Sequence, residues 1–218
     1  MQILASVVIT AILTVVILLS VTVFAFRDQL TNTITLADMK YCERKIKEQY
    51  RIYTEKNRRL DYNLNIDTLD IDKLAQSLHL QMNRVPRLNK NVRAHLNIAL
   101  DGDKYNGVIS FVSNGNKDYQ TNFDIIHEIM HYLNDVGYGK KVTTSFTRKN
   151  HGDRRGYHEQ VIDYYAAAIA IPKDNLLRRI MLYDGNPYDD EFVNELVEVY
   201  KQPRETVIRR IAEVIALS

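Results

Sequence analysis

Two histidines and a glutamate stand in the order His127-Glu128-Ile129-Met130-His131 within Thr121 to Asp135, TNFDIIHEIMHYLND. Residues four apart lie one turn above each other on a helix, so both imidazoles can reach a single metal ion. Zinc suits such a pair, and Glu128 then sits beside water on the ion, where it can accept a proton. Downstream, Glu159 and Asp163 are also four apart, in Tyr157 to Pro172, YHEQVIDYYAAAIAIP. A carboxylate from Glu159 completes a His-His-Glu set and leaves the fourth position open, as in catalytic zinc sites. Asp163, one turn on, can accept the outer N–H of a ligand histidine and fix its tautomer. The bland alternatives are a buried helix with two ordinary histidines, and a solvated Glu159 suited to the first turn of a helix by the macrodipole.

These side chains need two helices to hold them. In the first, Phe123, Ile126, Met130 and Leu133 form an apolar stripe. Thr121 or Asn122 can cap its start, and Gly137 and Gly139 follow its end. In the second, Val161, Ile162, Tyr165, Ala166, Ala168 and Ile169 are apolar or small, and Pro172 marks the stop. Upstream, Asp72 to Leu80 reads as the first helix of the domain. His95 to Leu100 and Gly107 to Val112 read as two antiparallel strands, with turn signals at Asp101-Gly102 and Asn106-Gly107. The outer edge of that sheet is a place for an extended peptide to add as a strand. His79 and His95 fall in ordinary helix and strand patterns. The connection from Gly139 to Gly156 is basic (Lys140, Lys141, Arg148, Lys149, Arg154, Arg155) and reads either as a lid or as a solvated loop. His151 and His158 could serve as extra ligands or proton donors, but in polar surroundings they are expected to be exposed.

Gln120 to Asp135 followed by Glu159 to Pro172 resembles the ImmA/IrrE family of small zinc metallopeptidases. Members show a phenylalanine, three mostly apolar or small residues, HExxH, and then a glutamate-led helix ending in an apolar run and proline. The resemblance extends upstream, from Ile71-Asp72-Lys73-Leu74-Ala75 through Val85 as a leading helix and over Asn106 to Ile109 as a strand, and covers roughly Ile66 to Ser218. It implies an α+β, zincin-like domain: a short antiparallel sheet with an HExxH helix and a glutamate helix. It also implies regulated, site-specific cleavage of a cytoplasmic protein such as a transcriptional repressor. On this reading one Zn2+ is held by His127, His131 and Glu159, with Glu128 as general base. Tyr132, Tyr138, Tyr157 and Tyr164 are candidate donors to the oxyanion, and the sequence does not choose among them. The competing function is a non-catalytic zinc-binding regulatory or partner-binding module of the same fold, against which the intact Glu128 speaks.

The 218-residue chain carries a formal charge of +2, so bulk composition does not point to nucleic acid, and its one cysteine, Cys42, excludes an internal disulfide. Residues 1–26 contain no charged side chain. They read as a transmembrane anchor, crossing the bilayer through residues 3–26, rather than as a signal peptide, because a basic leader and a small-residue cleavage site are missing. Arg27, Lys40, Arg44 and Lys45 on the far side then place the remainder in the cytoplasm, a single-pass arrangement. Residues 27–60 read as an amphipathic stalk or linker, with Leu36, Met39, Cys42, Ile46, Tyr50 and Tyr53 at helical spacing. That helix is expected to be a stalk or to pack on the catalytic domain; self-association through residues 36–53, or a basic face on anionic lipid, is the sharper alternative. Residues 61–172 then form the catalytic core and residues 173–218 a helical tail. In that tail Asp174 to Leu182 is one helix. Phe192 to Tyr200 and Arg204 to Leu217 form a pair broken at Pro203, which resembles the helix-turn-helix-like tail of many family members. Arg204, Arg209 and Arg210 could read DNA, but Val207, Ile208, Ile211, Val214 and Ile215 form a packing face, and no nucleic-acid partner is expected.

Overall fold

A computed structural model of the chain describes residues 34–56, 69–88, 92–101, 104–115, 118–136, 146–149 and 156–218. Its elements are α1 (Leu36–Lys56), α2 (Ile71–Ser77), β1 (Leu80–Arg84), β2 (Val92–Asp101), β3 (Lys104–Phe111), α3 (Tyr119–His131) with a π turn over Tyr132–Val136, β4 (Phe146–Lys149), α4 (Tyr157–Ala170), α5 (Lys173–Leu182), α6 (Asp190–Tyr200) and α7 (Arg204–Ala216). The class is α+β, as expected.

The expected hairpin is present and longer than anticipated: β2 and β3 pair antiparallel from Ala94 opposite Phe111 to Asp101 opposite Lys104. Two further strands extend the sheet to the order β1-β3-β2-β4 among the described residues. β1 lies parallel to β3, with Leu80 opposite Gly107, and β4 lies antiparallel to β2. Both added strands are short edges. β1 buries one side chain fully, Leu80, and so shows little alternation, whereas β4 falls inside the stretch read as a loop.

Two expectations are corrected here. The helix foreseen to reach Leu80 ends at Ser77, because His79 adopts a left-handed backbone (φ 56°) and its N–H closes on Gln76 O, turning the chain into β1. Gly107 lies inside β3 and not in a turn. A methyl there would collide with Leu80 across the strand pair and touch Leu96 and Tyr132. The glycine serves close packing.

α3 lies between the sheet, mainly β2, and α4. Every residue from Phe123 to His131 is therefore buried, including Ile125 and Ile129 outside the expected stripe. Its start is fixed by Asp118, and not by Thr121 or Asn122. The Asp118 carboxylate accepts from the Thr121 N–H at 3.0 Å and from the Thr121 hydroxyl at 2.7 Å, and the same hydroxyl oxygen lies 2.9 Å from Val112 O. Arg93 on β2 donates to Asp118 at 2.9 Å and meets Asp124 at 3.1 Å, so one guanidinium ties strand to helix.

Burial opposes ionisation of Asp118. The Asn114 N–H, the Thr121 hydroxyl and N–H and the Arg93 charge outweigh it and hold the carboxyl below its ordinary range. A carboxyl lowered by folding contributes stability that is present above its unfolded value, near 4, and is lost as pH falls through the folded value. Asp118→Ala is expected to cost about 1–2 kcal/mol at pH 7 and to flatten the acid limb of stability below about pH 4. Urea unfolding of parent and variant at pH 7 and pH 3 measures both effects.

α1 and the tail join the same core. Cys42 and Ile46 of α1 are buried with residues of α3 and α4 and with Phe192, Val193, Leu196, Val207, Ile211 and Val214 of the last two helices. Of the arginines considered for DNA, Arg210 is fully buried, Arg204 bonds Asn194 and Asp190, and Arg209 meets Glu213 at 3.5 Å.

The single-pass membrane placement is corrected. Among the described residues no helix is long and apolar enough to cross a membrane. The longest, α1, has 21 residues and carries charged side chains along its length. Residues 1–26, on which the expectation was drawn, lie outside the described residues.

Candidate metal centre

α3 contributes His127, Glu128 and His131, all at most 2% exposed. α4 contributes Glu159 from its first turn and Asp163 one turn later, so the two helices face each other along the line that their four-residue spacings define. The Nε2 atoms of His127 and His131 are 3.1 Å apart. Glu159 closes the triangle, its two oxygens 3.3 Å from His127 Nε2 and 3.4 Å from His131 Nε2. Taken one donor atom per residue, the three groups lie within 4.8 Å of one another. Glu159 is the outward-facing member, with its side chain 41% exposed.

The electrostatics match the geometry. His127 Nδ1 is 2.8 Å from Asp163 Oδ1, a contact that assigns the proton to Nδ1 and leaves the Nε2 lone pair for the cluster. The imidazoles of His127 and then His131 beside it outweigh the burial of Glu159 and hold its carboxyl far below the usual range, so it is ionised at neutral pH. Two ring nitrogens and an anionic oxygen converging at this range call for a cation.

Zinc fits the donor set. Tetrahedral ligands about 2.0–2.1 Å from the ion stand about 3.3–3.4 Å from one another; here the two Nε2 atoms are 3.1 Å apart and each lies 3.3–3.4 Å from one of the two Glu159 oxygens. Three protein donors, two of them imidazoles, would leave a fourth coordination position open for a reactant. Glu128 shares the helix with both histidines, and its carboxylate oxygens are shielded from solvent.

The four tyrosines fare differently. Tyr164 points away from the cluster, donating to Glu43 at 2.8 Å and accepting from Arg210 at 3.1 Å. Tyr157 hydrogen-bonds Asp38 of α1. Tyr132 is half-buried, with its ring beside Gly107, and Tyr138 lies outside the described residues, as does His151. His158, expected to be merely exposed, is exposed but has its ring 5.7 Å from that of His131. Its polar surroundings in the sequence favour exposure over a role as extra ligand or proton donor. The available signal was its place beside Glu159 at the start of a helix, where side chains fan round the terminus.

The family model for the IrrE N-terminal-like domain, peptidase M78, matches residues 87–212. That span holds the three donors of the cluster together with Glu128 and Asp163. A search of curated proteins found no match to the chain.

Proposed function

This chain belongs to the IrrE N-terminal-like family of metallopeptidases (peptidase M78), and on that premise we propose that it is a zinc-dependent endopeptidase that cuts a specific regulatory protein. The observation that carries the reading is the triangle of His127, His131 and Glu159 at zinc-ligand spacing. Zinc held there would supply a Lewis acid for polarising the scissile carbonyl and for acidifying the attacking water. Glu128 takes the proton from the attacking water and returns it to the departing amine. Asp163 holds the His127 ring in the tautomer that presents Nε2. The oxyanion needs a donor at the mouth of the site. Tyr157 and Tyr164 have their hydroxyls turned to other partners, so His158, exposed beside His131, is the better candidate.

Resemblance to the ImmA/IrrE family supports a transcriptional repressor, or a similar regulator, as substrate. The experiment has two arms. Titration of the full chain with zinc is expected to give one equivalent, and Glu159→Ala is expected to weaken that binding by more than about a hundredfold, beyond the cost of losing an outer-shell partner. Incubation with a candidate repressor substrate is expected to create one new N-terminus, and EDTA should prevent it. Tight zinc binding without cleavage would favour the non-catalytic module instead; protein that takes up no zinc would remove both readings.

A further inference from the structure

The third donor of the cluster sits on a weakly secured turn. α3 starts under the Asp118 cap, whereas α4 starts at Gly156, which offers no side-chain cap, and Glu159 lies in the first turn after it. First turns carry N–H groups without helical partners and fray unless something holds them. In this structure α1 does the holding, and it grips α4 on the side away from the imidazoles. Just ahead of α1, the Ile34 N–H donates to Gln160 Oε1 at 3.2 Å. The Tyr157 hydroxyl bonds Asp38, Tyr165 meets the Cys42 thiol, and Tyr164 bonds Glu43. Two of these contacts flank His158-Glu159 directly. Below them Cys42 and Ile46 are seated in the core, and Glu43 is anchored by the buried Arg210 of α7. α1 precedes the matched family span, which begins at residue 87.

We propose that α1 is a positioning element for the metal centre: by fixing the first turn of α4 it sets Glu159 against the two imidazoles, so that docking of α1 and binding of the metal reinforce each other. The inference rests on the reading of His127, His131 and Glu159 as zinc ligands. Coupling of this kind is reciprocal: whatever factor α1 adds to metal affinity, the metal adds to the docking of α1. An element that bears on α1 from outside would thereby act on the zinc.

The test uses the full chain, with zinc and with cobalt(II) as a visible-absorbing substitute. Tyr157→Phe combined with Gln160→Leu removes the grip from the α4 side. Ile46→Ala loosens the seat from the α1 side and leaves α4 untouched. Both variants are expected to weaken zinc binding by about tenfold, the low end for loss of supporting groups, and to change the intensity or position of the cobalt absorption bands. Zinc is expected to slow amide exchange across Leu36–Lys56 in the parent protein and to do so much less in Glu159→Gln. Thermal melts establish that each variant is folded at the assay temperature. If the parent binds one zinc while α1 exchange ignores it and both variants bind within about twofold of the parent, the positioning role is overturned and the metal centre stands. If the parent binds no zinc, both fall together.

Discussion

Glu128→Gln is expected to bind zinc as the parent does and to cleave about 10²–10⁴-fold more slowly, the range that positioned proton transfer supplies. That loss corresponds to about 3–5 kcal/mol of barrier. The substitution keeps size and shape in a side chain that is 1% exposed, so packing should survive. It removes only the ability to take a proton. Glu128 is not one of the three converging donors, hence the expected separation of metal content from turnover. Single-turnover cleavage together with zinc content reads the two quantities independently. Cleavage within about threefold of the parent would assign the base elsewhere; a parallel fall in zinc content would mean that Glu128 supports the ion rather than the proton transfer.

Arg210→Ala should be the most destabilising single change outside the metal centre. The guanidinium is fully buried and donates to Ile171 O at 3.1 Å, to the Tyr164 hydroxyl, and to the carboxylates of Glu43 and Glu213. Burial works against its charge, but Glu43, and then Tyr164 and Glu213, outweigh it. Truncation leaves two acidic groups behind, and breaking a buried pair in this way costs about 3–5 kcal/mol. The loss should depend on pH. Burial already lifts Glu213 above the ordinary carboxylate value while Arg210 and Arg209 oppose it. A carboxyl raised by folding adds stability that is fully present below its unfolded value and is lost as pH rises through its folded value. The deficit of the variant should therefore be larger at pH 8 than at pH 5. Replacing Glu43, Arg210 and Glu213 together by Leu, Met and Leu should cost much less than the single truncation, because no charge is left stranded. Urea unfolding of the three proteins decides it.

The candidate centre was legible because its geometry is local. His127 with His131, and Glu159 with Asp163, are four-residue pairs, and a helix converts that spacing into shared faces regardless of tertiary detail. What escaped was set by neighbours distant in the chain. β1 is a strand because β3 offers it an edge, and Gly107 looks like a turn residue until Leu80 is seen across from it. Asp118 reads as one polar residue among several; Arg93, Thr121 and Asn114 make it the cap. In Arg204, Arg209 and Arg210 the charges are visible but their partners are not, and full burial of one of them depends on a glutamate in α1 far upstream. For Tyr157 and Tyr164 the reason is the same: sequence places them near the centre in number, whereas rotation about α4 carries them to its opposite side.

The parallel ladder between β1 and β3 has a practical bearing on how this protein can be cut for expression. The family match opens at residue 87, after both α1 and β1. A recombinant fragment begun there would bare the main-chain edge of β3 along Gly107–Phe111 and uncover the apolar seat of Cys42 and Ile46. Raw strand edges recruit one another, so such a fragment should come out of cells as inclusion bodies.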